Sequence, residues 1–249
     1  MHLSFFLDLD GTLINLAAHP DAVTVPPRLI HLLSQLDNKL QGAMAIVSGR
    51  PITALDKLLS PYHGPAVGIH GAEHRQRDRP IIRQHVPVMP PSLVEKVQHI
   101  LIHESSAFIE HKGATLAVHH RRNQTQAHNL ENELHTLCVN EAPEWALIAG
   151  HQVFEIKPRS VNKGTGVSAL MQFSPFAGSC PIAIGDDITD LDLFAAARQH
   201  GGLTIAVGSR LAGKGDLQLA SPAEVMIFLT RFLQTSTLQN LNDVAALAR

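Results

Sequence analysis

Short apolar runs alternate with amphipathic segments near both ends of the chain. Five runs of four or five residues are typical of buried strands: Leu3–Leu7, Ala43–Val47, Ala66–Ile69, Pro181–Ile184 and Leu203–Val207. Apolar residues recur at helical spacing in Arg28–Leu36 and Ile52–Leu59, and Ser221 with Glu224 forms a capping box that begins another helix. Strands that alternate with helices predict a doubly wound, Rossmann-like α/β core whose parallel sheet is covered on both faces.

The middle of the chain has a different pattern. After a charged stretch at 75–83, Ser92 and Glu95 form a predicted capping box for a helix that ends near Glu104, and a second helix is predicted at about 126–139. Three further strands are predicted in this region: Ala107–His111, Thr115–His119 and Gln152–Lys157. Their polar and apolar residues alternate, as in a sheet with one solvated face.

These two patterns predict two domains. Residues 79–158 form an inserted, smaller α/β domain, and residues 1–78 with 159–249 form one discontinuous core. A last helix in 238–248 carries helix-spaced apolar residues, which indicates that it packs on the core. A dimer contact is the alternative for this helix, and we expect a monomer.

Composition and charge narrow the functional classes. The chain has 249 residues, 45% of them hydrophobic, which is enough for a packed core, and its net charge of −2 with no basic patch argues against a nucleic-acid partner. No run approaches the ~20 apolar residues of a membrane span, so no membrane partner is expected. Cys138 and Cys180 are far apart in the sequence, which predicts free thiols and a cytoplasmic location. The histidines lack a metal-ligand pattern.

Two carboxylates follow the first predicted strand. Asp8 and Asp10 lead into a turn at Gly11, and the carboxyl ends of parallel strands are where open α/β sheets place their chemistry. Two acids at one strand end repel each other, so they require a cation, a shared proton or both. The spacing alone is weak evidence and gains its value from three later segments.

The three later segments also lie at predicted strand ends or helix starts. Ser48-Gly49-Arg50 ends the second strand, Asn162-Lys163-Gly164 opens a helix, and an apolar strand leads into Gly185-Asp186-Asp187, with Thr189 predicted to cap the next helix. Aspartates from two strand ends make an all-oxygen site that favours Mg²⁺, while a hydroxyl and a lysine suit a phosphoryl group. Taken singly, each segment also fits an ordinary turn, an exposed cation or a helix cap.

The order of these segments resembles the motifs of the haloacid dehalogenase superfamily of phosphohydrolases. An insertion between the second and third motifs resembles the C2-type cap of that superfamily. Five shorter stretches are similar to the trehalose-6-phosphate phosphatase family within it: His19–Asp21, His70–Glu73, Glu110–Ala114, Phe154–Arg159 and Gly185–Asp190. The chain departs from that family at Leu191, where glutamate is common.

The resemblance implies a reaction and roles for the core residues. It implies a Mg²⁺-dependent phosphoric monoester hydrolase in which Asp8 is the nucleophile and Asp10 the general acid and base. Asp8, Asp186 and the Asp10 carbonyl would hold the metal, with Asp187 and Asp190 in support. Ser48 and Lys163 would stabilise the transferring phosphoryl group, with Gly49 and Arg50 in the substrate site.

The resemblance assigns the substrate, trehalose 6-phosphate, to Glu110, Lys112 and Glu155 of the inserted domain. Glu110 and Lys112 are two residues apart on a strand and therefore share one face. The alternative for these three residues is an exposed face crossed by ion pairs. Two alternative functions stay open: another capped sugar phosphatase, acting on sucrose, mannosylglycerate or hexose phosphates, and a noncatalytic phosphoacceptor module.

Overall fold

The computed structural model describes residues 2–16, 23–84, 86–102, 107–120, 124–150, 152–235 and 240–248. The strands in these ranges are β1 (Leu3–Asp8), β2 (Met44–Val47), β3 (Ala66–Gly68), β4 (Glu73–Arg75), β5 (Ile82–Arg83), β6 (Phe108–His111), β7 (Leu116–His119), β8 (Trp145–Ala149), β9 (Val153–Pro158), β10 (Cys180–Gly185), β11 (Leu203–Val207) and β12 (Leu217–Leu219). The helices are α1 (Pro27–Lys39), α2 (Ile52–Leu59), α3 (Pro91–Ile100), α4 (Gln124–Glu141), α5 (Lys163–Leu170), α6 (Asp190–Gln199), α7 (Pro222–Gln234) and α8 (Leu241–Ala246). The His19–Asp21 stretch lies outside the described residues.

The larger sheet has the order β12-β11-β10-β1-β2-β3-β4-β5. The pairs from β12 to β3 are parallel, and β4 and β5 add an antiparallel edge. Every residue of β1 is buried, as expected for a central strand covered by helices on both faces. The prediction of a doubly wound parallel core is therefore confirmed, and β1 places its last residue, Asp8, beside Val47 of β2.

Aromatic residues of β1 connect the sheet to the helices that cover it. The ring of Phe5 lies 4.7 Å from that of Phe232 of α7 in an edge-on arrangement, and Phe6 stacks on Phe176 at 5.2 Å. The predicted cap of α7 is present, because the Ser221 side chain accepts from the Glu224 N–H. The Glu224 carboxylate accepts from the N–H of Ala220 (2.7 Å), one residue before the position that a capping box specifies.

The smaller sheet is antiparallel, with the order β6-β7-β9-β8. One face carries apolar residues of β7 and β9, among them Val118 and Ile156, which join a buried cluster with Val97 of α3 and Leu134 of α4. Strand β8 was not predicted, because its uninterrupted apolar residues show no alternation that separates a strand from a buried helical segment.

Helix α3 begins differently from the prediction. Its N-cap is Pro90, with no capping side chain, so the predicted capping box of Ser92 and Glu95 is wrong. Pro91 explains the shift, since a proline fixes the backbone angle that the first helical position requires and has no N–H to satisfy. Ser92 consequently lies inside the first turn.

The chain divides into two units, Met1–Gln84 with Asn162–Arg249, and His85–Val161. Because β5 pairs with β4, residues 79–84 stay with the larger unit rather than with the insertion. Val244 of α8 is fully buried in the larger core, so the last helix packs as predicted. In the part of the chain that the structure describes, no helix is both long and apolar enough to cross a membrane.

We predict that Phe232→Ala lowers the free energy of unfolding of the larger unit by about 3–5 kcal/mol, because it removes a buried ring and leaves a cavity beside Phe5. Phe173→Ala is the matched control, since Phe173 is 44% exposed, and it should lower the value by clearly less than Phe232→Ala does. Urea unfolding followed by circular dichroism measures both variants. Equal losses in the two would contradict the assignment of Phe232 to the core.

Candidate active site

Three strand ends of the larger sheet bring the predicted core residues together. Asp8 ends β1, Ser48 directly follows β2, and Asp186 directly follows β10. Because β1 pairs in parallel with both β2 and β10, these three ends meet at the same edge of the sheet. Residues from three distant parts of the sequence thus lie together as predicted.

Lys163 reaches this edge from the start of α5. Asn162 caps the helix, with its side chain accepting from the Thr165 N–H at 2.8 Å and its own N–H donating to the Thr165 hydroxyl. The Lys163 ammonium is buried and donates to Asp8 Oδ1 at 2.7 Å and to Asp190 Oδ1 at 2.6 Å. One buried cation therefore connects the first and the last motif.

Three carboxylates form a cluster that could hold a cation. One oxygen each of Asp8, Asp186 and Asp190 lies within 4.8 Å of the other two. The second Asp8 oxygen, Oδ2, is buried, and no donor among the described residues reaches it. The Thr12 hydroxyl donates to Asp186 Oδ1 at 3.1 Å. A buried acceptor without a donor, beside further carboxylates, fits a hard divalent cation.

The turn that follows Asp10 has to be glycine. Gly11 has a φ of +90°, and a Cβ added there would lie 2.2 Å from Asp186 Oδ2. The missing side chain therefore lets the first motif approach the Asp186 carboxylate closely.

Asp190 holds the loop that carries Asp186. Its Oδ2 accepts from the N–H groups of Asp186 and Asp187, both at 3.0 Å, while Oδ1 takes the lysine. The predicted cap by Thr189 is wrong, because Thr189 has a helical backbone and makes no capping bond. Asp190 itself satisfies the loop N–H groups, and none of its three hydrogen bonds involves Leu191.

Asp187 points to a different partner. Its Oδ1 pairs with the Arg210 guanidinium at 2.7 Å and accepts from the Ile188 N–H at 2.8 Å. The carboxylate cluster is made of Asp8, Asp186 and Asp190, so Asp187 lies outside it. Its contacts give it a part in fixing the loop.

Burial and like charges shift the titration of the cluster. Burial raises the pKa of Asp8 well above its ordinary value, and Asp190 and Asp186 add to this, while Lys163 opposes it. Burial and then Asp190 raise the pKa of Asp186 to about 6. Burial alone would lower the pKa of Lys163, but Asp190 and Asp8 outweigh it and raise that pKa. Lys163 therefore stays charged, whereas burial opposes the ionisation of Asp8, which a further cation would favour.

Arg50 contacts the second carboxylate. Its guanidinium makes a two-pronged ion pair with Asp10, from Nε to Oδ2 at 2.7 Å and from the second nitrogen, Nη2, to Oδ1 at 2.8 Å. The Arg50 N–H donates to the Ser48 hydroxyl oxygen at 3.1 Å. The sequence placed Arg50 at the substrate, and its contact in the structure is with Asp10.

In the smaller unit, the predicted polar residues share one face of the sheet. Glu110 lies opposite Ala117 of β7, and Ala117 lies opposite Glu155 of β9. The Lys112 ammonium donates to Glu155 Oε1 at 2.5 Å. Glu155 is buried and Glu110 is partly exposed, and both make ion pairs, so the face is less exposed than the alternative of an exposed face crossed by ion pairs assumes.

Three contacts of the predicted residues were missed. His119 pairs with Glu110 Oε2 at 2.8 Å and stacks on Phe108 at 4.4 Å, and the hydrogen bond with His119 lowers the pKa of Glu110. The contact of Thr12 with Asp186 was also missed, although Thr12 directly follows Gly11 in the first motif. The contact of Arg210 with Asp187 had no signal, because Arg210 lies in a loop outside the motifs. His119 had only its alternation along β7 as a signal.

Known proteins with similar sequences and a similar fold include trehalose-phosphate phosphatases. The trehalose-phosphatase family model matches residues 6–221. A probable trehalose-phosphate phosphatase of Sinorhizobium fredii is 38% identical over 223 residues, covering 90% of this chain and 84% of that protein. The trehalose-6-phosphate phosphatase of Escherichia coli is 37% identical over 228 residues, covering 86% and 83%. The C-terminal domain of the C. albicans trehalose-6-phosphate phosphatase shares the fold, with a TM-score of 0.77 at 21% identity, over 99% of this chain and 92% of that chain.

The raised pKa of Asp186 predicts a pH-dependent stability in the presence of a chelator. The folded state binds the Asp186 proton up to about pH 6, and an unfolded aspartate only up to about pH 4. Protonated Asp186 therefore stabilises the folded state fully below about pH 4, and this stabilisation is lost as the pH rises through about 6. The free energy of unfolding should fall by on the order of 2–3 kcal/mol over this range. Asp186→Asn should flatten this profile, as measured by urea unfolding in EDTA from pH 4.5 to 7.5. Parallel profiles for the two proteins would contradict the prediction.

Proposed function

The chain belongs to the trehalose-phosphatase family, and we propose that it hydrolyses trehalose 6-phosphate to trehalose and phosphate, with Asp8 as the nucleophile. Proteins of this family are phosphoric monoester hydrolases with the haloacid dehalogenase fold. The observation that carries the proposal is the buried Asp8 carboxylate at the end of β1, paired with Lys163 and adjoining Asp186 and Asp190.

In the proposed first step an oxygen of Asp8 attacks the phosphorus in line. The bond from phosphorus to the sugar oxygen breaks, an aspartyl-phosphate forms on Asp8, and Asp10 gives its proton to the departing sugar oxygen. In the second step Asp10, now a carboxylate, takes a proton from a water molecule that attacks the phosphorus. Phosphate leaves, and the Asp8 carboxylate is restored.

Mg²⁺ is part of the proposal. Asp8, Asp186 and the backbone carbonyl of Asp10 would hold the ion, and the buried Asp8 Oδ2, which no donor among the described residues reaches, supports its presence. When bound, the ion supplies positive charge for the phosphoryl oxygens and favours ionised carboxylates. Asp190 is the less available oxygen donor, because both of its oxygens already accept hydrogen bonds.

The remaining core residues stabilise charge and position groups. Lys163 is placed to compensate the phosphoryl oxygens as well as Asp8, and the Ser48 hydroxyl with the Gly49 backbone would bind the same group. Arg50 holds the Asp10 carboxylate through both of its oxygens. This pairing fixes the orientation of the Asp10 side chain beside the Ser48 loop.

The smaller unit is proposed to be the cap that selects the sugar. Glu110, Lys112 and Glu155 would bind sugar hydroxyls, since a buried polar site rejects substrates that leave its groups unpaired far more strongly than an apolar pocket does. The partly buried Lys112–Glu155 pair supports this role, because a largely desolvated pair adds little to stability. A cytoplasmic monomer completes the proposal; both cysteines are free thiols, in agreement with a reducing compartment.

Two alternatives have different consequences. A phosphatase with another sugar substrate would use the same core chemistry, so a phosphate-release screen over sugar phosphates with and without Mg²⁺ tests the substrate. Equal rates on hexose phosphates and trehalose 6-phosphate would remove the specific assignment. A noncatalytic phosphoacceptor module needs no second carboxylate at the first strand end, and Asp10 lies there.

We predict that Asp8→Asn lowers the rate of phosphate release from trehalose 6-phosphate at least 10⁴-fold, roughly the loss expected when a covalent nucleophile is removed. Asp192→Asn is the matched control, since Asp192 lies close to Asp190 in the sequence, is exposed and is not part of the cluster. It should keep the rate within about twofold. A normal rate for Asp8→Asn would exclude the nucleophile.

We also predict that Glu155→Gln lowers kcat/KM for trehalose 6-phosphate by about 10–100-fold and that for p-nitrophenyl phosphate by less than about threefold. The reason is that the variant leaves Lys112 without its charged partner in the sugar site, while the aryl ester lacks sugar hydroxyls. Glu133→Gln, on the exposed side of α4, is the control and should affect neither ester. An equal loss on both esters would remove Glu155 from sugar recognition.

A further inference from the structure

The segment 69–73, which contains the His70-Gly71-Ala72-Glu73 motif, has no role in the proposed chemistry although it is buried. It runs from the end of β3 to the first residue of β4 and begins with two residues in the left-handed region, Ile69 at φ 48° and His70 at φ 50°. Such angles are uncommon outside glycine and costly for a β-branched residue, on the order of 1–3 kcal/mol each. A strained pair of this kind persists where surrounding contacts fix it.

These contacts run to the loop Ser48–Arg50. The His70 N–H donates to the Ser48 carbonyl at 3.1 Å, and the Ile69 N–H donates to the Arg50 carbonyl at 3.0 Å. The His70 ring lies against Gly49, where an added Cβ would be 2.3 Å from Nε2. The left-handed turn therefore aims two N–H groups and one ring at all three residues of the loop.

Glu73 holds the start of the helix that follows this loop. Its Oε1 accepts from the N–H of Ile52, the first residue of α2, at 2.5 Å, and the carboxylate is buried. A negative charge at a helix start is favourable, and this side chain satisfies an N–H that the helix leaves unpaired. His70 thus contacts the middle of the Ser48–Arg50 loop, and Glu73 fixes the start of α2 two residues after it.

The segment also contacts the second phosphoryl-binding element. Gly71 has a φ of +102°, and an added Cβ would lie 2.0 Å from the carbonyl oxygen of Asn162, the residue that caps α5 and precedes Lys163. One short segment therefore adjoins both the loop with the Ser48 hydroxyl and the helix start with the Lys163 ammonium.

We infer that His70 and Glu73 are positioning residues for phosphoryl transfer: they hold the Ser48–Arg50 loop, and with it the Ser48 hydroxyl and the Arg50–Asp10 pair, in register with Lys163. This inference rests on the proposed function, in which Ser48 binds the phosphoryl group. Displacing a catalytic group by about 1 Å costs up to about 100-fold in rate. The left-handed backbone is retained because it allows these contacts.

A double-mutant cycle between His70 and Ser48 tests the inference. His70→Asn keeps a residue type that accepts the left-handed region and removes the ring. We expect it to lower kcat by about 10–100-fold on both trehalose 6-phosphate and p-nitrophenyl phosphate, because the loop serves the phosphoryl group that both esters share. In a Ser48→Ala background the same change should cost less than about threefold, since the group being positioned is already absent.

Controls separate positioning from general loss of structure. His74→Asn removes an equally buried histidine that lies in β4, and it should keep kcat within about twofold even if the melting temperature falls. Should His70→Asn not fold, Glu73→Gln replaces it in the cycle. That variant retains an oxygen for the Ile52 N–H, so it should lose less activity than Glu73→Ala.

The outcomes are distinguishable. An unchanged kcat for His70→Asn, or a loss that multiplies in full with that of Ser48→Ala, would overturn the positioning role and leave the proposed function standing. A Ser48→Ala variant with normal activity would overturn both this inference and the assignment of Ser48. Coupled losses with a normal His74→Asn control are the result expected.

Discussion

The buried Lys163 ammonium between Asp8 and Asp190 is the interaction on which the rest of the site depends. The sheet edge gathers carboxylates that burial would neutralise, as the raised pKa of Asp8 shows. Removing one partner from a buried charge pair leaves the others uncompensated, at a cost of several kcal/mol. Lys163 offsets part of this charge, and the proposed divalent cation would offset more of it. Ionisation of Asp8 and binding of the proposed cation are therefore linked.

The topology explains why these charges can be assembled at all. Parallel pairing puts the carboxyl ends of β10, β1 and β2 side by side, so residues from opposite ends of the sequence become neighbours. Because every residue of β1 is buried, apolar packing along the strand fixes the position of its last residue, Asp8. Rigid strands thus carry the reacting residues, while the loops that follow them carry the N–H groups and hydroxyls.

The sequence predicted the residues of the site that lie at strand ends. It did not predict which side chain caps a helix or pairs with a given charge. Asp8, Ser48, Lys163 and Asp186 follow from an apolar run or a helix start, and they meet because the sheet is parallel. The caps assigned to Ser92 and Thr189 were wrong, because Pro91 and the Asp190 side chain satisfy those turns instead.

Pairs such as Arg50–Asp10 and Glu110–His119 depend on rotamers and on strand register, which no local pattern encodes. No local pattern predicts the left-handed turn at His70 either. The strain at Ile69 and His70 becomes visible only as backbone angles, although the motif that contains them was recognisable as letters.

The two units differ in how their buried polar groups are compensated. In the larger unit the buried charges are compensated at fixed distances by Lys163 and by backbone N–H groups, which suits a phosphoryl group common to every substrate of this class. In the smaller unit Lys112 and Glu155 form a partly buried pair of two long side chains, to which the proposed function assigns the sugar hydroxyls. A pair of this kind contributes little to stability, and under the proposed function it would reject esters that leave its groups unpaired. Changes to this face should therefore alter which ester is hydrolysed and leave the phosphoryl chemistry in place.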